Sequence, residues 1–136
     1  MGFTFKKEER LCSRQLIDRL YSEGHRLMAF PYSVQWMTAP KASLPSHPLC
    51  QVMIVAPKRK FHHAVDRNHV RRLTRECYRL RKCALYDFLQ SQGLTLYFSM
   101  VYIHNDIMSY EQLGHKMDKL LLALQKDILA NQPSEQ

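Results

Sequence analysis

Arg67, Arg71 and Arg75 stand four residues apart, Arg72 lies among them, Arg79 follows four residues on, and Lys58-Arg59-Lys60 precede them. Guanidinium groups at this spacing are suited to one kind of chemistry. Each presents a planar fork that grips phosphate or carboxylate oxygens two at a time. Like charges four apart cost an isolated helix about 0.2–0.5 kcal/mol per pair, so the pattern has no local advantage until an anion lies against it. Of the chain's 20 Lys and Arg residues, 10 fall between Lys58 and Lys82, with only Asp66 and Glu76 to oppose them. The remainder is balanced, so the whole net charge of +8 belongs to this stretch. Charge concentrated in this way implies a polyanionic partner, with nucleic acid ahead of an anionic membrane surface. At 100° per residue, Arg67, Arg71, Arg75, Tyr78 and Lys82 are expected on one side of a helix, with Val70, Leu73, Cys77 and Leu80 on another.

Other chemistries find less support. His62, His63, His69, Cys77 and Cys83 are of types that bind zinc, but their spacing matches no zinc module, and Cys77 falls on the apolar stripe. A protein-only nuclease needs carboxylates gathered around metal ions, or an acid and base pair. Asp18, Asp87, Asp106, Glu111, Asp118 and Asp127 are scattered over separate elements instead. The sequence thus offers no catalytic residue and no metal site.

The elements that must position the basic stretch follow from periodicity. Ser13 caps a helix over Arg14 to Glu23, whose apolar face is Leu16, Ile17, Leu20 and Tyr21, and Gly24 is expected to end it with positive φ. Phe30, Tyr32, Val34 and Trp36 alternate within one strand from Leu27 to Met37. Ala39 to Pro48, with three prolines, reads as an exposed connection. Val52 to Val55 is a short strand covered on both faces, ended by Pro57. The basic helix runs from Val65 to about Leu89 with Gly93 as its stop, and Leu94 to Ile103 forms a central strand. Ser109 and Gln112 make a capping box for a last helix that buries Leu113, Met117, Leu120, Leu121, Leu124 and Ile128. With 136 residues, 46% of them hydrophobic, the chain reads as one domain over 1–136, ordered from about 3 to 130, with a frayed tail at 131–136. The class is an α/β (α+β) sandwich: a small central mixed sheet packed by helices, in the order helix-strand-strand-helix-strand-helix.

The string from Ala56 to Arg79 resembles the signature segment of the bacterial ribonuclease P protein component. The residues that carry the likeness are Pro57-Lys58-Arg59, Phe61, Ala64-Val65, Arg67-Asn68, Val70, Arg71-Arg72-Leu73, Arg75-Glu76 and Tyr78-Arg79. At the family's central Arg-Asn-Arg triplet this chain has Arg67-Asn68-His69; His69 can donate a hydrogen bond to phosphate but lacks the arginine fork. Phe5-Lys6-Lys7, Arg10-Leu11 and the helix ending at Gly24 are similar as well, so the likeness spans about residues 3 to 128.

The resemblance implies a subunit that binds the catalytic RNA of ribonuclease P and assists removal of the 5′ leader from precursor tRNA, the chemistry being the RNA's. It implies a left-handed crossover in the fold, against the usual right-handed rule. It also implies RNA contact by Lys58, Arg59, Lys60, Arg67, Asn68, His69, Arg71, Arg72 and Arg75. A leader cleft between sheet and central helix would be lined from the first helix by Ile17 and Tyr21 and from the first strand by Tyr32 and Trp36. Mg²⁺ is expected for the RNA–protein holoenzyme and no cofactor for the protein alone. The implied partners are the catalytic RNA and precursor tRNA, with no membrane and no obligate protein partner. No apolar run reaches transmembrane length and MGFTFKKEER lacks a signal peptide's apolar stretch, so a cytoplasmic location is expected. In that setting the four cysteines are expected to be reduced thiols. Two rivals remain at this point: a structural, ribosome-associated RNA-binding module, and a helix that enters the DNA major groove, where Asn68 could read adenine.

Overall fold

The computed structural model describes residues 7–40 and 48–131. Phe5, Lys6, most of the Ala39–Pro48 connection and the tail after Asn131 lie outside the described residues. A short 3₁₀ turn (Lys7–Glu9) leads to α1 (Arg14–Glu23), β1 (His25–Ala29), β2 (Tyr32–Pro40), β3 (Cys50–Val55), α2 (Ala64–Gln92), β4 (Leu94–Tyr102) and α3 (Tyr110–Ala130). The sheet order is β1-β2-β4-β3, with β3 parallel to β4 and the other pairs antiparallel.

The alternation of residues sorts the sheet into two faces. Tyr32, Val34 and Trp36 of β2, Leu96, Phe98, Met100 and Tyr102 of β4, and Cys50 and Val52 of β3 join one core with α2 and α3. On the other face Met37 and Tyr97 meet Leu11 and Leu20, with Leu16, Ile17, Ala39 and Met53 at the margin. The class and the apolar stripe of α3 agree with the sequence. Ser109 and Gln112 form the full capping box, and the six apolar positions expected of α3 are all buried.

Four local readings are corrected. The single strand expected from Leu27 to Met37 is two, joined by a turn at Phe30-Pro31, with Ala29 paired to Tyr32. Proline has no N–H for the ladder, so the chain reverses there. β3 is not covered on both faces: it is the outer strand, with Met53 and Val55 only partly buried, and its edge is met by the N-terminal segment, where Leu11 N–H donates to the Val52 carbonyl at 2.9 Å. Gly24 has φ −74°, not positive. A glycine is required there because a Cβ would stand 2.4 Å from the Leu20 carbonyl oxygen. Gly93, by contrast, ends α2 at φ +67°, a left-handed conformation in which a side chain is strained.

The fourth correction concerns α2. Its buried side holds Val70, Thr74, Cys77, Tyr78, Lys82, Leu85 and Leu89. Tyr78 and Lys82 therefore do not belong to the exposed basic side, and Leu80, expected inside, is 39% exposed. The stripe is broad because α2 packs at once on the sheet, on α3 and on the N-terminal segment. Lys82 donates to the Glu9 carboxylate, as does the Tyr86 hydroxyl, so this cation is consumed by a buried ion pair.

Candidate nucleic-acid interface

The basic segment is built as a loop braced against a helix. Pro57 cannot extend β3, and its carbonyl accepts from Lys60 and Phe61 N–H in a tight turn that leaves Lys58 and Arg59 exposed. Phe61 is driven into the core and pins the loop. The Arg67 guanidinium reaches back and donates to the carbonyls of Phe61 and His62, both at 2.9 Å. Its charge thus also tethers loop to helix, a role that spacing alone did not show. Lys60 Nζ donates to Asn105 Oδ1 at 3.1 Å, which ties the same loop to the segment after β4.

Along α2, Asn68, His69 and Arg72 are exposed and Arg71 and Arg75 are partly so. Asn68 Oδ1 accepts from Arg71 and orients that guanidinium. Arg75 leans over the edge of β3 into a pocket of about 170 Å³ lined by Arg10, Leu11, Cys12, Val52, Met53 and Ile54. Partial burial and then the charges of Arg10, Arg71 and Arg72 hold the Arg75 pKa below its usual value. Four guanidiniums thus share one field, and Glu76, next to Arg75 in the chain, is engaged by Arg79. Such a cluster is chemically equipped to hold successive phosphates, each of which would relieve the mutual repulsion.

The structure thus brings Arg71, Arg72 and Arg75 together and adds Arg10, which sequence reasoning missed. Its only signal was an Arg-Leu pair near the N-terminus, and the pairing of that segment with β3 is what delivers it. Arg81 is directed elsewhere: it donates to Asp118 of α3 at 2.8 Å and to the Cys77 carbonyl, and its guanidinium fills the space where a Cβ on Gly114 would stand.

The aromatic candidates divide. Tyr21 is 46% exposed on α1, and Ile17, half-buried one turn earlier, packs on the α1 side of the sheet. Tyr32 and Trp36 cannot stack a base, because both lie in the core beneath α2 and α3. The Tyr32 hydroxyl is hydrogen-bonded to Thr74 at 2.7 Å, and Trp36 Nε1 donates to Asp127 Oδ2 at 2.8 Å. Their strand instead turns Ser33 and Gln35 toward the α1 side, where Gln35 is in register with Ser99. Among the described residues the buried hydroxyls of Ser99 and Thr95 on that side have no hydrogen-bond partner.

Among the described residues no three His, Cys, Asp or Glu side chains are grouped to share a metal ion, and no helix is long and apolar enough to cross a membrane. Cys77 is buried while Cys83 is exposed.

Comparison with known proteins gives a consistent result. A family model described as Ribonuclease P matches residues 5–125. The ribonuclease P protein component of Porphyromonas gingivalis W83 is 27% identical over 122 residues, covering 90% of this chain and 87% of the relative. That of Chlorobium phaeobacteroides is 26% identical over 125 residues, covering 87% and 86%. Among solved structures, the Staphylococcus aureus RNase P protein superposes with a TM-score of 0.62 at 18% identity, covering 85% of this chain and 94% of that one. The Thermotoga maritima RNase P protein gives 0.60 at 19% identity, covering 83% and 94%. These two likenesses establish the shared fold.

Proposed function

Since the chain belongs to the ribonuclease P protein family and is a ribonuclease P protein subunit, we propose that it docks the catalytic RNA through its basic segment and assists removal of the 5′ leader from precursor tRNA. The observation that carries this reading is the crowding of Arg10, Arg71, Arg72 and Arg75, with Arg10 and Arg75 lining one pocket at the β3 edge and the Arg75 pKa lowered by partial burial and then by the other three charges.

The mechanism is electrostatic and positional. Two RNAs that must come together repel each other, and cations set between them lower that barrier by displacing condensed counterions. Lys58, Arg59 and Lys60 on the loop and Arg71, Arg72 and Arg75 on the helix meet backbone phosphates of the catalytic RNA. Asn68 and His69, exposed on the same segment, donate hydrogen bonds there, and Arg67 holds loop and helix in one register. His69 gives a weaker contact than an arginine would, lacking the fork. The leader passes along the α1 side of the sheet, where Tyr21 offers a stacking face, Ile17 an apolar wall, and the partly buried Gln35 a polar partner. Stacking tolerates any base, which suits processing of many leaders. Mg²⁺ serves the RNA–protein assembly, and the work is done in the cytoplasm.

The test is cleavage of precursor tRNA at low Mg²⁺ by the ribonuclease P RNA of the same source, with and without the protein, beside the protein alone. Stimulation with the RNA and silence without it is the expected result. Tight RNA binding with no stimulation would overturn the processing role and leave a structural RNA-binding protein.

A further inference from the structure

The aromatic residues of the strands, Tyr32, Trp36, Tyr97, Phe98 and Tyr102, are all buried, whereas Phe30 at the tip of the β1–β2 hairpin is 48% exposed. Its ring is nevertheless held. It meets the His104 imidazole edge to face, with centroids 5.0 Å apart at 61°. His104 leans on Tyr102 at 6.4 Å, and Tyr102 packs on Phe61 at 5.9 Å and on Tyr32 at 5.6 Å. Ile103 N–H donates to the Pro31 carbonyl at 2.8 Å and fixes the turn against the end of β4. A ladder of rings therefore runs from the core to solvent, with Phe30 as the outermost rung. Its position is set before anything binds, so a ligand would not have to order it.

The surroundings are cationic. Asn105, adjacent to His104, accepts from Lys60, and Lys60 shares its loop with exposed Lys58 and Arg59. A rigid ring with an open face beside cations is the composition of a single-stranded nucleic-acid site, in which cations follow the backbone and the ring stacks a base. Protein interfaces are by contrast poor in lysine at their centres. Resting on the function proposed above, we infer that Phe30, backed by His104, stacks an unpaired base of the catalytic RNA docked on the basic segment. The leader is a different ligand at a different place: Ile17 and Tyr21 lie on α1, across the sheet from the layer of rings that supports Phe30.

The experiment measures affinity of the catalytic RNA for the wild type, Phe30→Leu, Phe30→Trp and His104→Ala over a range of salt, together with cleavage of precursors carrying long and short leaders. Phe30→Leu keeps the apolar bulk and removes the π face. It is expected to weaken RNA binding about 5- to 150-fold with an unchanged salt slope, because no phosphate contact is lost. Phe30→Trp is expected to bind at least as tightly as the wild type, His104→Ala to lose part of the affinity, and all variants to melt with the wild type. Wild-type affinity in Phe30→Leu would overturn the inference, as would a loss confined to long-leader precursors, which would transfer the base to the leader. Failure of the wild-type protein itself to bind the RNA would instead overturn the functional reading.

Discussion

Lys82 offers the sharpest separation between a cation that folds the protein and one that meets RNA. On the helical wheel it aligns with Arg67, Arg71 and Arg75, yet its side chain is 4% exposed and is paired with Glu9, itself 11% exposed. Replacing it by Met keeps the apolar stem and removes the charge, leaving the Glu9 carboxylate buried without its cation while the Tyr86 hydroxyl still donates to it. Removing one member of a buried pair costs about 3–5 kcal/mol, and the surviving hydrogen bond places this case near the lower end. Against a total stability of roughly 5–15 kcal/mol, such a loss is large. At roughly 4 °C per kcal/mol for a chain of this size, the melting temperature should fall by about 10–15 °C. Urea unfolding followed by fluorescence of the sole tryptophan, Trp36, reads the change directly. Adding Glu9→Gln to Lys82→Met should recover stability, since no uncompensated charge is then buried. RNA affinity of the folded Lys82→Met protein should equal that of the wild type. A variant that melts with the wild type but binds RNA more weakly and with a flatter salt dependence would refute the reasoning and return Lys82 to the interface.

The thiols give a chemical map of burial: Cys12 and Cys83 are exposed, Cys50 and Cys77 buried. Burial pushes Cys50 up to about 12 from an ordinary 9.0, so alkylation at pH 8 should modify Cys12 and Cys83 and reach Cys50 only in denaturant. The unfolded thiol ionises from 9.0 while the folded one holds its proton to about 12, so stability should decline as pH rises through that window, seen as falling urea midpoints. Because Trp36 is buried and hydrogen-bonded to Asp127, neither leader nor catalytic RNA should quench its emission by stacking. Strong quenching in a protein that remains folded would restore Trp36 to the cleft.

Much of this architecture is legible in the residues. α2 and α3 announce themselves by apolar spacing of three and four, and Ser109 with Gln112 marks the start of α3 by local chemistry. The hairpin is not legible, because Phe30 continues the period-two rhythm of Tyr32, Val34 and Trp36 across the turn, and only Pro31 interrupts the ladder. That rhythm puts Tyr32 and Trp36 on one face. Which face of a sheet is roofed by two helices is decided by the packing of α2 and α3, separated from β2 by scores of residues. For the same reason a wheel drawn for α2 alone assigns Tyr78 and Lys82 to solvent, whereas Tyr78 packs on Phe98 of β4 and reaches Cys50 of β3, and the N-terminal segment that takes up Lys82 also brings Arg10 to Arg75. The charge cluster was readable as composition; its membership depended on topology.

The most direct test of the account is the salt dependence of catalytic-RNA binding by the wild type, Arg71→Ala and Arg75→Ala. Each variant is expected to remain folded, to bind more weakly, and to lose roughly 0.7–0.9 from the slope of log K against log salt, one phosphate contact's worth. Wild-type affinity and slope in both would contradict the claim that this cluster is where the RNA docks.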